Sequence, residues 1–153
     1  MRVERLGGDR VEGLTTMRIN WCDEEERPGQ FALWQANCER SMRGKRGRQA
    51  LLDLEAELLS MTDKRLIGDD LAANGEVCAV GALMRHRGVD QQHLEQLNDS
   101  GLESDELAVR EAKVPSLVAW NLVELNDIEL EHATPEERYQ TVLSRVQTYL
   151  ENV

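Results

Sequence analysis

The part of the sequence that most constrains the fold is residues 74–88, "NGEVCAVGALMRHRG". Residues 77–84 are apolar on every side, which predicts a helix buried on all its faces instead of an amphipathic surface helix. We expect Asn74 to cap this helix and Gly88 to end it in a left-handed conformation, behind three basic residues. Such a helix must be covered by other elements, so the segment predicts a central buried helix at about residues 76–87.

The cysteine and the glycine inside this segment each have a functional and a structural interpretation. Cys78 is either a reactive thiol or a small buried hydrophobe. Its apolar surroundings favour the second, because reactive thiols need an exposed, electropositive setting. Gly81 costs about 1 kcal/mol relative to alanine in a helix interior, which indicates that a neighbouring helix comes close. We therefore predict that Cys78 is buried and inert and that Gly81 lies at a helix crossing.

Helical periodicity continues along most of the chain from Phe31 onwards. A second predicted helix, 46–61, has a leucine stripe that Leu52 and Leu59 widen. The last one is expected to start at Thr134 with a capping box. Shorter helices are predicted at Asp90, Ser104 and Pro115. No long alternating strand and no pair of strands around a hairpin turn is recognisable. The predicted fold is mainly α, with five to six mostly short helices around one core.

Length and composition bound the domain organisation and the cellular compartment. Residues 1–16 have no periodic pattern and are predicted to be a flexible N-terminal tail, followed by a single helical domain at 17–153. The sequence has no apolar run of the ~18 residues that span a membrane, and no secretory h-region. Its three cysteines are odd in number and far apart, which is typical of reduced thiols. These features predict a cytoplasmic protein that does not enter a membrane.

The charge is strongly negative, with one exception. A net charge of −11 disfavours nucleic acid as a partner, because phosphate contacts drive that binding. The exception is a basic turn, which consists of Arg40, Arg43, Lys45, Arg46 and Arg48. Its ordinary interpretation is a solvated turn between two helices. Its functional interpretation is an anion site, since two glycines and the start of the second helix would expose backbone N–H groups there.

Other polar residues have weaker claims to a function. Asn121 faces the apolar side of its predicted helix, as a site residue or as a buried amide that bridges backbone groups. Asn126 and Asp127 are interpreted first as a helix terminus and second as a ligand site. His86 and His93 lie seven residues apart, and no cysteine has a close Cys or His partner, so the ligand spacing of a zinc site is missing. We predict no catalytic residue, no metal site and no cofactor.

Several segments together resemble a group of uncharacterised small proteins from phages, prophages and bacteria. They include "FALWQANCERSMRGKRGRQALLDLEAELLSM", "GEVCAVGAL" and "TPEERYQTVLSRV", and the resemblance covers most of residues 17–153. The family carries no known activity. The resemblance therefore implies a context and no reaction, and it provides no catalytic residues.

Three classes of function remain. The first is a non-enzymatic interaction or accessory protein that presents an acidic surface to a basic protein partner. The second is a phosphate or nucleic-acid binder that uses the basic turn, and the third is a thiol enzyme that uses Cys78. The acidic composition and the lack of catalytic motifs favour the first class. The oligomeric state is left open.

Overall fold

A computed structural model of the protein describes residues 28–151, and the predicted tail at residues 1–16 lies outside them, as does the side chain of Phe31. The predicted mainly α class is confirmed, with seven α-helices and one small hairpin in the described residues. The helices are α1 (Pro28–Arg43), α2 (Lys45–Ser60), α3 (Ala79–His86), α4 (Gln91–Leu97), α5 (Ser104–Ala112), α6 (Ser116–Val123) and α7 (Pro135–Glu151). The strands are β1 (Ala72–Ala73) and β2 (Glu76–Val77).

The chain divides into two units between residues 39 and 40. Residues 28–39 of α1 are the described part of the first unit. In the second unit, α3 is the central helix and packs against α2, α5 and α6, while α7 packs on α2. Residues 79–84 of α3 are all buried, which confirms the predicted central helix. The prediction of a single domain over residues 17–153 stays a prediction.

The central helix begins three residues later than predicted, because a hairpin precedes it. Strands β1 and β2 pair antiparallel, and Asn74 and Gly75 form the two-residue turn between them with φ angles of 54° and 84°. An Asn-Gly pair is favoured there since both positions need a positive φ. Asn74 is therefore a turn residue, and its predicted role as the helix cap is wrong. The cap of α3 is Cys78.

Several predicted helix boundaries are confirmed by their capping contacts. Gly88 has a φ of 102° at the end of α3, and the Asp90 side chain accepts a hydrogen bond from the backbone N–H of His93 at 2.9 Å. At the start of α7, Thr134 Oγ1 accepts from the Glu137 N–H at 3.1 Å, and Glu137 Oε1 accepts from the Thr134 N–H at 2.9 Å. These caps depend on residues close in sequence, which is why the sequence reveals them.

Gly81 does mark a close approach, but its neighbour is not a helix. A Cβ atom on Gly81 would lie 2.3 Å from the carbonyl oxygen of Leu71, in the segment that enters β1. The same carbonyl accepts a hydrogen bond from the Cys78 N–H at 3.1 Å. The predicted helix crossing is therefore wrong, and the glycine instead lets the hairpin segment pack directly on the first turn of α3.

The apolar stripe of α2 is narrower than predicted. Leu51, Leu54 and Leu58 are buried, whereas Leu52 and Leu59 are 37% and 56% exposed. The helices that pack most extensively on α2 are α3 and α7, and they leave these two leucines exposed. One face of α2 thus belongs to the core and another carries exposed leucines.

Across residues 28–151, none of the helices has both the length and the hydropathy required to cross a membrane.

Candidate functional site

The most elaborate polar arrangement in the described residues lies where α6 ends. The helix continues there into one wide, π-helical stretch at Glu124–Glu129, and such single turns occur frequently at functional sites. Around it lies a group that we call the polar junction, which consists of Cys78, Asn126, Asp127 and Arg138. These residues come from the start of α3, from the π-helical stretch and from α7.

Asn126 is 1% exposed and connects two separate backbone segments. Its Oδ1 accepts from the N–H of Ala79 at 3.0 Å, and its Nδ2 donates to the carbonyl oxygen of Ile67 at 3.0 Å and to Asp127 Oδ1 at 2.6 Å. The Ala79 N–H is one of the donors that the start of a helix leaves without an intrahelical partner. Asn126 therefore has the bridging role that the sequence assigned, as one of two interpretations, to Asn121.

Asp127 fixes a strained turn beside this bridge. Its Oδ1 accepts from the backbone N–H of Asp69 at 3.0 Å. Asp69 has a φ of 71°, a left-handed conformation that residues other than glycine adopt rarely. The interpretation of Asn126 and Asp127 as a plain helix terminus is too simple, because their side chains hold a distant loop in place.

Arg138 is a member of the junction that the sequence analysis missed. It is 5% exposed, and its guanidinium donates to three main-chain carbonyl oxygens: from Nε to Asn126 at 3.1 Å, from Nη1 to Leu66 at 3.1 Å and from Nη2 to Leu130 at 2.8 Å. Within the described residues, no carboxylate lies within ion-pair distance of it. The available signal was its position four residues before Val142, on the buried face of α7.

Cys78 lies in the core, as predicted. Its Sγ accepts from the N–H of Gly81 at 3.3 Å and so caps α3. Burial raises the pKa of the thiol from the ordinary 9.0 to about 12. A neutral thiol is a weak nucleophile, so the geometry is that of a structural cap. The predicted inertness stays a prediction and is tested as follows.

We expect native Cys78 to react with a thiol reagent near pH 8 about a thousandfold more slowly than the same cysteine in a free peptide, because three pKa units lower the thiolate population by that factor. Mass spectrometry of the labelled Cys78 peptide measures the rate. The unfolded thiol ionises near 9.0 and the native one near 12, so the free energy of unfolding should fall as the pH rises from 9 towards 12. Labelling at the free-peptide rate would favour the thiol enzyme instead.

Asn121 lies outside the polar junction. It is half-buried, and its Nδ2 lies 3.5 Å from the Sδ atom of Met42, which is a weak acceptor. Among residues 28–151, that nitrogen makes no hydrogen bond to a backbone group. Its predicted bridging role is therefore not seen in this contact.

The basic turn connects α1 and α2, and its cations differ in environment. Arg46 Nη2 donates to the carbonyl oxygen of Lys113 at 3.0 Å, and Arg48 Nη1 donates to that of Leu150 at 3.2 Å. These carbonyls lie at the C-terminal ends of α5 and α7, where the helix dipole favours positive charge. Two of the five cations in the basic turn are therefore explained by their contacts with the C-terminal ends of other helices. The remaining exposed cations include Arg43 and Lys45 beside the start of α2.

A second charged group joins α2 to α3 and has a structural role. Arg85 pairs with Glu57 at 2.8 Å, and Arg87 pairs with Asp53 at 3.0 Å. His86 Nδ1 lies 3.5 Å from Glu57. Among the described residues, no three His, Cys, Asp or Glu side chains are placed to hold a metal ion.

Comparison of the chain with protein-family models, with curated proteins and with solved structures gave no match.

Proposed function

We propose that the protein is a non-enzymatic interaction or accessory protein whose acidic surface binds a basic protein partner. The polar junction supports this proposal, because its side chains contact backbone groups of their own chain. Asn126 and Arg138 satisfy helix ends and loop carbonyls, and Cys78 caps a helix with a thiol whose pKa is raised. A cytoplasmic, phage- or prophage-related context fits the same proposal.

The observation that most directly supports the proposal is that three acid-rich segments without lysine or arginine are joined by hydrogen bonds. Residues 66–84, 88–109 and 114–137 are such segments. Two hydrogen bonds join them. The N–H of Asp69, in the first segment, donates to Asp127 Oδ1, in the third, at 3.0 Å. The N–H of Leu71, also in the first segment, donates to Asn98 Oδ1, in the second, at 2.9 Å. Four aspartates lie at these contacts or next to them in sequence, and we call them the acidic face: Asp69, Asp70, Asp99 and Asp127.

The negative electrostatic potential of the acidic face favours some partners over others and changes the rate at which they associate. Asp69, Asp70 and Asp99 are exposed, so their charge reaches the solvent on a chain whose net charge is −11. Like-charged nucleic acid is repelled, while a basic protein surface is attracted and its association is accelerated. Such an interaction weakens with salt, since the Debye length falls from about 10 Å at about 0.1 M to about 3 Å at about 1 M.

The proposal is tested by quantitative affinity purification from the cell that produces the protein. The wild type is compared with the double variant Asp70→Asn and Asp99→Asn, and each is washed at about 0.1 M and about 1 M salt. We expect the wild type to retain one or a few basic proteins at low salt. The double variant should retain several-fold less of them, because two of the exposed carboxylates are neutralised.

A matched control neutralises two exposed acids on other helices, Glu111→Gln on α5 and Glu151→Gln on α7. It changes the net charge equally and should retain the partner at the wild-type level. Equal losses in both double variants would show that only net charge matters. Retention that neither pair of substitutions changes would contradict a role for the acidic face.

An anion site at the basic turn stays the alternative to this proposal, and a separate measurement distinguishes the two. We expect inorganic phosphate at low salt to leave the melting temperature unchanged, both in the wild type and in a variant with Arg43→Glu, Lys45→Glu and Arg46→Glu. The variant itself should melt earlier, because Arg46 loses its carbonyl contact. A phosphate-dependent gain in the wild type that the variant lacks would instead support anion binding by mass action.

A further inference from the structure

The turn between β1 and β2 holds the one Asn-Gly pair of the sequence, Asn74-Gly75. Both residues are exposed, and both have a positive φ. In such a pair the backbone nitrogen of the glycine can attack the side-chain carbonyl carbon of the asparagine, because a glycine has no Cβ atom to hinder the approach. The residues that the hairpin turn favours are therefore also the residues most open to deamidation.

The reaction balances with water as the only other reactant. The Gly75 nitrogen loses its proton to solvent and forms a bond to Cγ of Asn74, whose Nδ2 leaves as ammonia, and a cyclic succinimide remains. Water then opens the ring at either carbonyl carbon. Opening at the main-chain carbonyl gives isoaspartate, in which the main chain runs through the former side chain and is longer by a methylene group. Opening at the other carbonyl gives aspartate.

The side chain of Glu95 on α4 contacts the atom that must react. Its Oε2 accepts from the N–H of Gly75 at 3.1 Å and from Gln91 Nε2 at 2.9 Å. Gln91 Nε2 also donates to the carbonyl oxygen of Glu76 at 3.1 Å. Two neighbouring side chains of α4 therefore hold the second half of the turn and the start of β2.

We propose that Asn74 is a deamidation site and that the carboxylate of Glu95 suppresses the reaction there. The attacking form of the Gly75 nitrogen is an anion, and a carboxylate in contact with it raises the free energy of that second negative charge. The hydrogen bond also stabilises the protonated N–H, which does not attack.

The opposite role, in which Glu95 removes the proton as a general base, is disfavoured by its acidity. A general base is most effective when its pKa lies near the ambient pH. Hydrogen bonds from Gln91 and from the Gly75 N–H lower the pKa of Glu95 below its ordinary value. The group is therefore ionised at neutral pH and is a weak base, so its negative charge has the larger effect on the reaction.

Suppression matters because of what the hairpin supports. Isoaspartate would lengthen the main chain inside a two-residue turn, whose geometry sets the register of its strands. The pairing of Ala73 with Glu76 would then be lost. The residues that flank this hairpin pack directly on the first turn of α3, where the Cys78 N–H donates to the carbonyl oxygen of Leu71. Glu95 thus protects the start of the central helix from a chemical change in the turn.

Ageing of the full chain at mildly alkaline pH tests the proposal, with mass spectrometry of the peptide that contains Asn74. The wild type should deamidate more slowly than a synthetic peptide of residues 70–80. Glu95→Gln should deamidate at least about fivefold faster than the wild type, the effect of one unit charge a few ångströms away in water. Glutamine keeps an acceptor oxygen but carries no charge. The matched control is Glu111→Gln on α5, which should keep the wild-type rate.

Asn98→Ala separates the effect of charge from loosening of the hairpin. Asn98 holds the residues before the turn, through the Leu71 N–H at 2.9 Å and the Ala72 carbonyl oxygen at 2.6 Å, and its loss leaves Glu95 in place. This variant should therefore deamidate more slowly than Glu95→Gln, and circular dichroism checks that all variants are folded.

Four outcomes would overturn the proposal: a wild type as fast as the peptide, an unchanged rate in Glu95→Gln, a slower rate in that variant, or equal acceleration in Asn98→Ala. A slower rate in Glu95→Gln would make Glu95 the general base instead. The reaction needs no protein partner, so these results are independent of binding at the acidic face.

Discussion

Replacing Arg138 with methionine is expected to lower the free energy of unfolding by about 2–5 kcal/mol. The guanidinium is 5% exposed and donates to the carbonyl oxygens of Leu66, Asn126 and Leu130. Methionine fills a similar volume but donates no hydrogen bond. The Leu130 carbonyl keeps a donor, the N–H of Ala133 at 3.0 Å, whereas the carbonyls of Leu66 and Asn126 lose the guanidinium, at about 1–3 kcal/mol for each buried carbonyl left without a donor. Urea unfolding followed by circular dichroism at 222 nm, the usual helix signal, measures the loss.

Two further variants separate the role of the fork-shaped guanidinium from that of positive charge. Arg138→Lys should recover little of the loss, because a single ammonium group does not reproduce the planar donors that serve three carbonyls. Arg145→Met on the same helix is the control. Arg145 lies near the surface, 3.5 Å from Glu129, and should cost below about 1 kcal/mol. Equal unfolding midpoints for Arg138→Met and Arg145→Met would contradict a bracing role for Arg138.

The sequence predicted those features whose partners are close along the chain. The capping box at Thr134, the Asp90 cap and the left-handed Gly88 involve residues at most three apart. The contacts of Arg138 reach back 72 residues to Leu66. No local sequence pattern predicts a partner so far away. The one sequence signal for Arg138 was its position on the buried face of α7.

The candidate site was predicted only in part, because the helix changes its pitch there. Asn126 and Asp127 were recognised as candidates, but the bridging role was considered for Asn121, on the assumption of a regular helical period. A π-helical stretch closes i→i+5 hydrogen bonds and so rotates the residues after it relative to that period. Asn121 precedes the widened turn at Glu124–Glu129, whereas Asn126 lies inside it, and Asn126 is the asparagine that is buried.

The hairpin was missed for a different reason. Strands of two residues each are too short for an alternating pattern to be recognised. The Asn74-Gly75 pair was nevertheless a usable signal, since Asn-Gly favours the two-residue hairpin turn. The exposed leucines of α2 show a further limit of prediction from sequence. Periodicity indicates which residues share a face, whereas the number of neighbours available to cover Leu52 and Leu59 depends on the whole fold.

Replacing Gly81 with leucine is expected to lower the free energy of unfolding by about 3 kcal/mol, at the upper end of the usual cost of overpacking. The first side-chain atom alone would lie 2.3 Å from the carbonyl oxygen of Leu71. That oxygen must move, and its hydrogen bond from the Cys78 N–H at 3.1 Å must lengthen or break. Since the hairpin and α3 are joined at this point, the change should also speed hydrogen exchange at the Cys78 amide.

Thermal and urea unfolding of Gly81→Ala separates overpacking from helix propensity. Alanine in an unobstructed helix interior would add about 1 kcal/mol of stability relative to glycine, so a destabilised Gly81→Ala isolates the clash with the Leu71 backbone. Gly44→Leu is the control, because a Cβ atom there would meet its nearest atom at 3.5 Å, an ordinary contact distance. Two outcomes would contradict this role of Gly81: a Gly81→Ala variant more stable than the wild type, or equal losses of unfolding free energy in Gly81→Leu and Gly44→Leu. Either would show that the hairpin segment moves easily and that its packing on α3 does not need a glycine.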